Sequence, residues 1–115
     1  MAKHILKIRE VDKVVFDAIK DGQKTIETRA ATDKFRKIEK GDILVLVCGG
    51  RKLERQVLEI DYSRSIEEMT KALDFKKVTP FVNSIDEMKE VYYSFPNYKE
   101  KISEFGLVAF TMKKD

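Results

Sequence analysis

One cysteine, one histidine and two prolines are all that a chain of 115 residues carries of those types, and each scarcity excludes something. Cys48 has no partner for an internal disulfide, so a reducing, cytoplasmic setting is the expectation. A lone Cys beside a lone His cannot supply the usual ligand set of a zinc site, and no metal or other cofactor is expected. Pro80 and Pro96 are isolated, and no repeat, linker or low-complexity tract divides the chain, so residues 1–115 read as a single domain with one core. No apolar run approaches the roughly 18 residues needed to cross a bilayer. The first ten residues already alternate charged with apolar groups, so neither a membrane span nor a secretory signal is expected.

Charge, by contrast, is abundant and unevenly placed. The formal net charge is +3, yet residues 1–55 hold 14 Lys/Arg against 9 Asp/Glu, while residues 56–115 hold 9 against 11. A basic half suggests an anionic partner, nucleic acid above all. The plainer alternative is a solvated Lys-rich surface, which contributes little to anything.

The patterning outlines the elements. Residues 4–9 (HILKIR) read as a strand. Val11, Val14, Val15, Ala18 and Ile19 then follow the spacing of one helical stripe, with Asp12 placed to cap its start and Gly22 to end it. Residues 25–29 read as a short strand, followed by the polar stretch ATDKFRKIEKGD. ILVLVC (43–48) is a continuous apolar strand expected to be buried on both faces. Beyond Gly49-Gly50, Leu58, Ile60 and Tyr62 alternate with Glu59 and Asp61, so one face of that strand is expected in the core. Ser65 with Glu68 and Ser84 with Glu87 are capping boxes opening two helices. KKVTPFVN (76–83) reads as a loop, SFPNYKEKISEFG (94–106) as irregular, and LVAFTM (107–112) as the last strand. The order β-α-β-β-β-α-α-β lacks a repeated βαβ series. It predicts an α+β domain, a small mixed or antiparallel barrel with helices outside.

The stretch GQKTIETRA (22–30) resists a reading as packing alone. Strand alternation puts Thr25, Glu27 and Arg29 on one face and Ile26 and Thr28 on the other, with Lys24 just after a sharp turn. On a solvated sheet such charges would pair for about 0–1 kcal/mol and do nothing more. At a helix-to-strand junction they can instead line a groove. There Arg29 offers a planar fork for phosphate or carboxylate, Glu27 accepts from an exocyclic amine, and Lys24 supplies a point charge. A partly buried Lys24 with a lowered pKa can also serve as base or nucleophile.

Gly22-Gln23-Lys24-Thr25-Ile26-Glu27-Thr28-Arg29 resembles the G-x-K-x-x-E-x-R signature of ASCH (ASC-1 homology) domains of the PUA-like superfamily. The striped helix before it, the K-G-D turn and apolar strand after it, and a closing segment of the form F-P-x-Y-x-E…F-G-L-V-A-F agree, so the resemblance spans essentially the whole chain. It is nearest to small stand-alone bacterial and archaeal members. The resemblance implies a PUA-like β-barrel of about five or six strands with flanking helices, and a cleft lined by the motif that binds RNA or a nucleoside. One branch of that family consists of amidohydrolases acting on N4-acetylcytidine, and ribonuclease activity also occurs. In that branch the catalytic set is a motif Lys, a Thr three positions on, and a Glu from the later helical region. Lys24 matches the Lys, Glu27 stands where that branch has Thr, and loop 76–83 offers no Glu. Glu67 or Glu87 would serve only with a different helix packing.

The candidate binding set is therefore Gln23, Lys24, Thr25, Glu27 and Arg29, joined by Arg36 as a phosphate contact and by Tyr93 and Tyr98 as stacking residues. Tyr92 and Phe95 are expected to finish the last helix stripe into the core. Lys37, Arg51 and Lys52 are further loop cations, Cys48 a small buried apolar residue, and His4 structural. The leading expectation is binding of RNA or a modified nucleoside. The second is a small hydrolase on the same cleft, with Lys24 as base or nucleophile and Glu27 as its partner. A protein-interaction adaptor is the third class and has no dedicated feature.

Overall fold

The computed structural model describes residues 1–114. Its organising unit is a hairpin: β3 (Ile43–Cys48) turns at Gly49-Gly50 into β4 (Arg51–Ser63), with Gly49 at φ 59°, a left-handed conformation that glycine adopts at little cost. β4 is 13 residues long and is shared between two partners. Arg51–Gln56 pairs antiparallel with β3, and Val57–Ser63 pairs antiparallel with β5 (Leu107–Met112). β1 (Lys3–Ile8) runs parallel to β3, and β2 (Ile26–Ala30) runs antiparallel to β5, giving the order β1-β3-β4-β5-β2. The class is α+β with a mixed five-stranded sheet.

That sheet is not closed into a barrel. β1 and β2 are its two edges, and the contact across the gap is made by a side chain, Arg29 Nη2 donating to Lys7 O at 3.1 Å. The reason lies in the edge of β2, whose polar groups are taken by side chains and a neighbouring helix.

A bulge in β4 shifts the pairing with β5 between Val57 and Glu59. One extra residue reverses the alternation. Val57 is therefore buried and Leu58, expected inside, is 40% exposed; beyond the bulge Ile60 packs against the core, while Tyr62, expected inside with it, is 48% exposed at the strand's end under the Arg36 guanidinium. β3 also departs from expectation. Leu44, Leu46 and Cys48 are buried, but Ile43, Val45 and Val47 are only half-buried, because the helices gather over β2, β5 and the end of β4 instead.

α1 (Lys13–Lys20) follows a 3₁₀ turn at Glu10–Asp12. Starting at Lys13 turns its buried face to Phe16, Ala18 and Ile19, and leaves Val11 and Val14 exposed rather than in the stripe. Asp12 occupies the cap position but makes no capping bond; its carboxylate instead takes Arg9 Nε at 2.8 Å. Gly22, at φ 82°, ends the helix as expected.

Three short helices add to the expected order: α2 (Asp33–Arg36), α4 (Phe75–Val78) and α6 (Tyr98–Phe105). α4 occupies the start of the expected loop 76–83 and stops ahead of Pro80, which cannot continue it. α6 replaces the irregular 94–106. Asn97 takes up the left-handed conformation, and Tyr98, Ile102 and Phe105 then recur at helical spacing, with Ile102 buried. Gly106 closes it at φ 77°, where a Cβ would sit 2.6 Å from Ser63 O, so only glycine fits. α3 (Ile66–Ala72) and α5 (Ile85–Tyr93) are capped as read: Ser65 Oγ accepts from Glu68 N–H and Ser84 Oγ from Glu87 N–H. The return bonds of Glu68 and Glu87 go one residue further upstream, to Arg64 and Asn83 N–H.

Apolar residues fall into two cores on opposite faces of the sheet. Leu6, Phe16, Leu44, Leu46, Val108 and Phe110 belong to the first, which α1 covers. Ile26, Ile66, Met69, Met88, Ile102 and Ala109 belong to the second, beneath α3, α5 and α6. β5 faces both, which is why it is apolar at nearly every position.

β1 is clipped to the turn before β3 by Asp42, which accepts from Ala2 N–H (3.1 Å), Glu39 N–H (3.0 Å) and His4 Nε2 (2.8 Å). These donors, the Glu39 amide foremost, hold the Asp42 carboxyl at about 2, below its ordinary 3.8. A depressed folded-state pKa stabilises the fold fully above the ordinary value, and that stability is lost as pH falls through about 2. Asp42→Asn is therefore expected to melt below wild type at neutral pH, with the gap narrowing as pH falls from 3.8 to about 2. Parallel acid limbs in thermal melts of the two proteins would show that the clip contributes nothing.

Candidate functional site

The polar groups on the free edge of β2 find partners without a neighbouring strand. Ile26 C=O accepts from Lys24 Nζ at 2.7 Å, Thr28 N–H donates to Glu27 Oε1 at 2.9 Å, and Ala30 N–H donates to Tyr98 OH at 3.3 Å. Just upstream, Thr25 N–H donates to Lys77 O of α4 at 3.0 Å. Unpaired buried backbone groups are costly, so these side chains are as much a part of the sheet as a sixth strand would be.

Lys24 was expected at a rim and lies in a floor. It is 4% exposed, as is Glu27. Its ammonium donates to Ile26 O and Val78 O and stands 3.5 Å from Glu27 Oε1, while Arg29 Nη2 donates to Glu27 Oε2 at 3.2 Å. Burial lowers the Lys24 pKa, and the neighbouring carboxylate opposes that without reversing it. Burial pushes Glu27 up, but the charges of Lys24 and Arg29 and the Thr28 N–H outweigh it, so the carboxylate is held below its ordinary range. The strand alternation is as read, with Glu27 and Arg29 opposite Phe110 and Val108 of β5.

Around this trio a cavity of about 210 Å3 opens in the gap between β1 and β2. Lys24, Glu27, Thr28 and Thr79, all buried, form its polar floor. Phe81, Tyr92, Phe95 and Tyr98 form an aromatic wall, and Lys7, Arg9 and Arg29 give a basic rim that also holds Asp12, paired with Arg9. Thr28 Oγ1 and Tyr92 OH are hydrogen-bonded to each other, and burial raises the pKa of both Tyr92 and Tyr98, so both stay neutral phenols. Phe95 is edge-on to both tyrosines, and the Arg9 guanidinium lies 5.5 Å from its ring centre.

Of the residues singled out in the sequence, Lys24, Glu27, Arg29 and Tyr98 meet in this cavity. Gln23 is exposed, and Thr25 lines a second cavity behind Lys24. Arg36 is turned away, donating to Ala31 O and Phe105 O and covering the Tyr62 ring. Tyr93 is exposed on α5 beside Lys99. Tyr92 is buried as expected yet also borders the cavity, as does the half-buried Phe95. Glu67 pairs with Lys89 and Glu87 caps α5, so neither reaches the site. Arg51 pairs with Asp17, and His4 with Asp42. Sequence reading passed over Lys7, Arg9, Thr79 and Phe81, which come from two distant segments and carry no local signal. Among the described residues no group of three or more His, Cys, Asp or Glu is placed to hold a metal, and no helix is long and apolar enough to cross a membrane.

Because the trio is buried and mutually satisfied, breaking it is expensive. Lys24→Met leaves Glu27 with Arg29 as its one remaining charge partner and two carbonyls without their donor, an expected loss of about 3–5 kcal/mol in chemical denaturation. Adding Glu27→Gln to that variant should recover part of the loss; strictly additive effects would show that the two groups do not act as a pair.

A family model described as ASCH domain matches residues 10–114. The crystal structure of hypothetical protein PH0355 superposes with a TM-score of 0.83 at 30% identity, with all of both chains covered. The solution structure of protein PF0455 from Pyrococcus furiosus gives 0.73 at 32% identity, covering 96% of each. No curated protein matches the chain.

Proposed function

The chain belongs to the ASCH domain family, which is linked to RNA binding, and from that premise we propose that the cavity between β1 and β2 receives a single base of an RNA or of a modified nucleoside. The observation that carries this reading is the pairing of an ionised, buried carboxylate with an aromatic wall in one small cavity. Glu27 accepts from a base's exocyclic amine or ring N–H, and the wall stacks the base, a contribution of about 1–3 kcal/mol. Lys7, Arg9 and Arg29 meet the adjoining phosphates. At about 210 Å3 the space is below the range of ~300–1,000 Å3 typical of drug-sized ligands, which suits one base and excludes a helix of nucleic acid. On the same reading the curled sheet is a PUA-like barrel whose seam stays open where the ligand enters.

The test is equilibrium binding of short single-stranded RNA and of free nucleosides across a salt series. Each rim cation that neutralises one phosphate adds about −0.7 to the slope of log K against log salt for RNA, and Lys7→Ala, which removes the rim cation that has no carboxylate partner among the described residues, reduces it by about 0.7. Glu27→Gln should erase preference among bases at unchanged slope. A salt-independent affinity that Glu27→Gln leaves untouched would sink the proposal.

Lys24 favours a second reading, hydrolysis of an acylated nucleoside. Burial shifts its pKa downward, in the direction a base requires, and Glu27 stands beside it. Relative to the amidohydrolase pattern of Lys, Thr and Glu, the last two are exchanged: Glu27 follows Lys24 by three positions, and Thr79 comes from loop 76–83. Turnover of N4-acetylcytidine, lost in a folded Lys24→Met protein, is the expected result of this reading. Binding of the intact nucleoside without release of acetate would rule it out.

A further inference from the structure

Thr25 is the motif residue that the first cavity leaves unexplained. It opens instead onto a second cavity of about 150 Å3, between the end of α1, β4 and the end of β5. Among the described residues, the charged groups lining it are Lys20, Lys24, Arg55, Lys113 and Lys114, with Asp21 the single carboxylate. Among the described residues, Lys20, Arg55, Lys113 and Lys114 make no ion pair, and the one carboxylate partner of Lys24 is Glu27, on the other side. Arg55 is nonetheless fixed, Nη1 donating to Glu54 O at 2.9 Å and Nη2 to Ile19 O at 3.4 Å. Among the described residues the Thr25 hydroxyl makes no hydrogen bond, although its backbone N–H and C=O are both bonded.

We propose that this second cavity is a phosphate site, taking inorganic phosphate or a terminal phosphate monoester. Four cations, Lys20, Arg55, Lys113 and Lys114, leave a concentrated positive charge in a concave space, where an anion gains most. An anchored guanidinium supplies a planar fork, the lysines supply point charges, and a free hydroxyl supplies a further donor. A volume of 150 Å3 accommodates a tetrahedral oxyanion with a few waters of about 30 Å3 each, and no nucleoside. The site does not depend on what the first cavity binds. Since Lys24 borders both, an anion here favours its charged form and so reinforces the trio that finishes β2.

The experiment is an amide NMR titration of the full chain with inorganic phosphate, matched against chloride at equal ionic strength. Saturable shifts at Gly22, Thr25 and Lys113, absent with chloride, are expected. Lys113→Gln and Lys114→Gln together, both exposed and outside the strands, should weaken the affinity at least tenfold, as should Arg55→Gln. Lys71→Gln, at an exposed position of α3, should not. Non-saturating shifts, an equal response to chloride, or affinity unchanged in the charge variants would overturn the proposal. A competing arm separates the two sources: an oligoribonucleotide with a 5′-phosphate displaces phosphate if the site takes an RNA end, and its 5′-hydroxyl counterpart does not.

Discussion

A free strand edge must be finished with something, and in this domain the edge of β2 is finished by side chains. Lys24, Glu27 and Tyr98 supply the partners that another strand would otherwise offer. Two consequences follow from that one constraint. The sheet stays open between β1 and β2, because the groups that would zip them are already engaged. The charged side chains that engage them are also drawn out of water, which lowers the Lys24 pKa, while the charges of Lys24 and Arg29 keep Glu27 ionised inside the fold against that burial. The site is therefore the unfinished seam of the sheet rather than a pocket added to a completed scaffold.

The rest of the architecture serves that seam. β4 bridges β3 to β5, and its bulge re-aims the strand at the change of partner. β5 is buried on both faces, which fixes β2 firmly enough to hold two ionisable groups in a defined geometry. α5 and α6 then bring Tyr92, Phe95 and Tyr98 against the opening, while the end of β1 brings Lys7 and Arg9. Polar floor, aromatic wall and cationic rim come from separate parts of the chain and meet only because the edges approach without joining.

Much of this was legible residue by residue. Both capping boxes, the Gly22 stop and the alternation of Glu27 with Arg29 are local facts, and the structure carries each of them. The misreadings share a cause. Leu58 was placed inside because alternation knows nothing of a bulge. Val11 and Val14 were placed in the stripe because the helix starts only after a 3₁₀ turn at Glu10–Asp12, which apolar spacing does not reveal. Helix α6 was missed because Pro96-Asn97 reads as a loop, while the contacts that stabilise the helix lie in the second core.

The sequence by itself determined the class of the domain, its core strands and the charged set Lys24, Glu27 and Arg29, because these follow from periodicity, turn chemistry and side-chain alternation over a few residues. Only the tertiary structure decided that Lys24 is buried rather than at a rim, and that Thr25 opens onto a different cavity from Glu27. It also decided that Thr79 and Arg9 share the space with the motif. Burial and proximity across the chain are properties of how the sheet edges approach one another, and no short window of sequence encodes that distance.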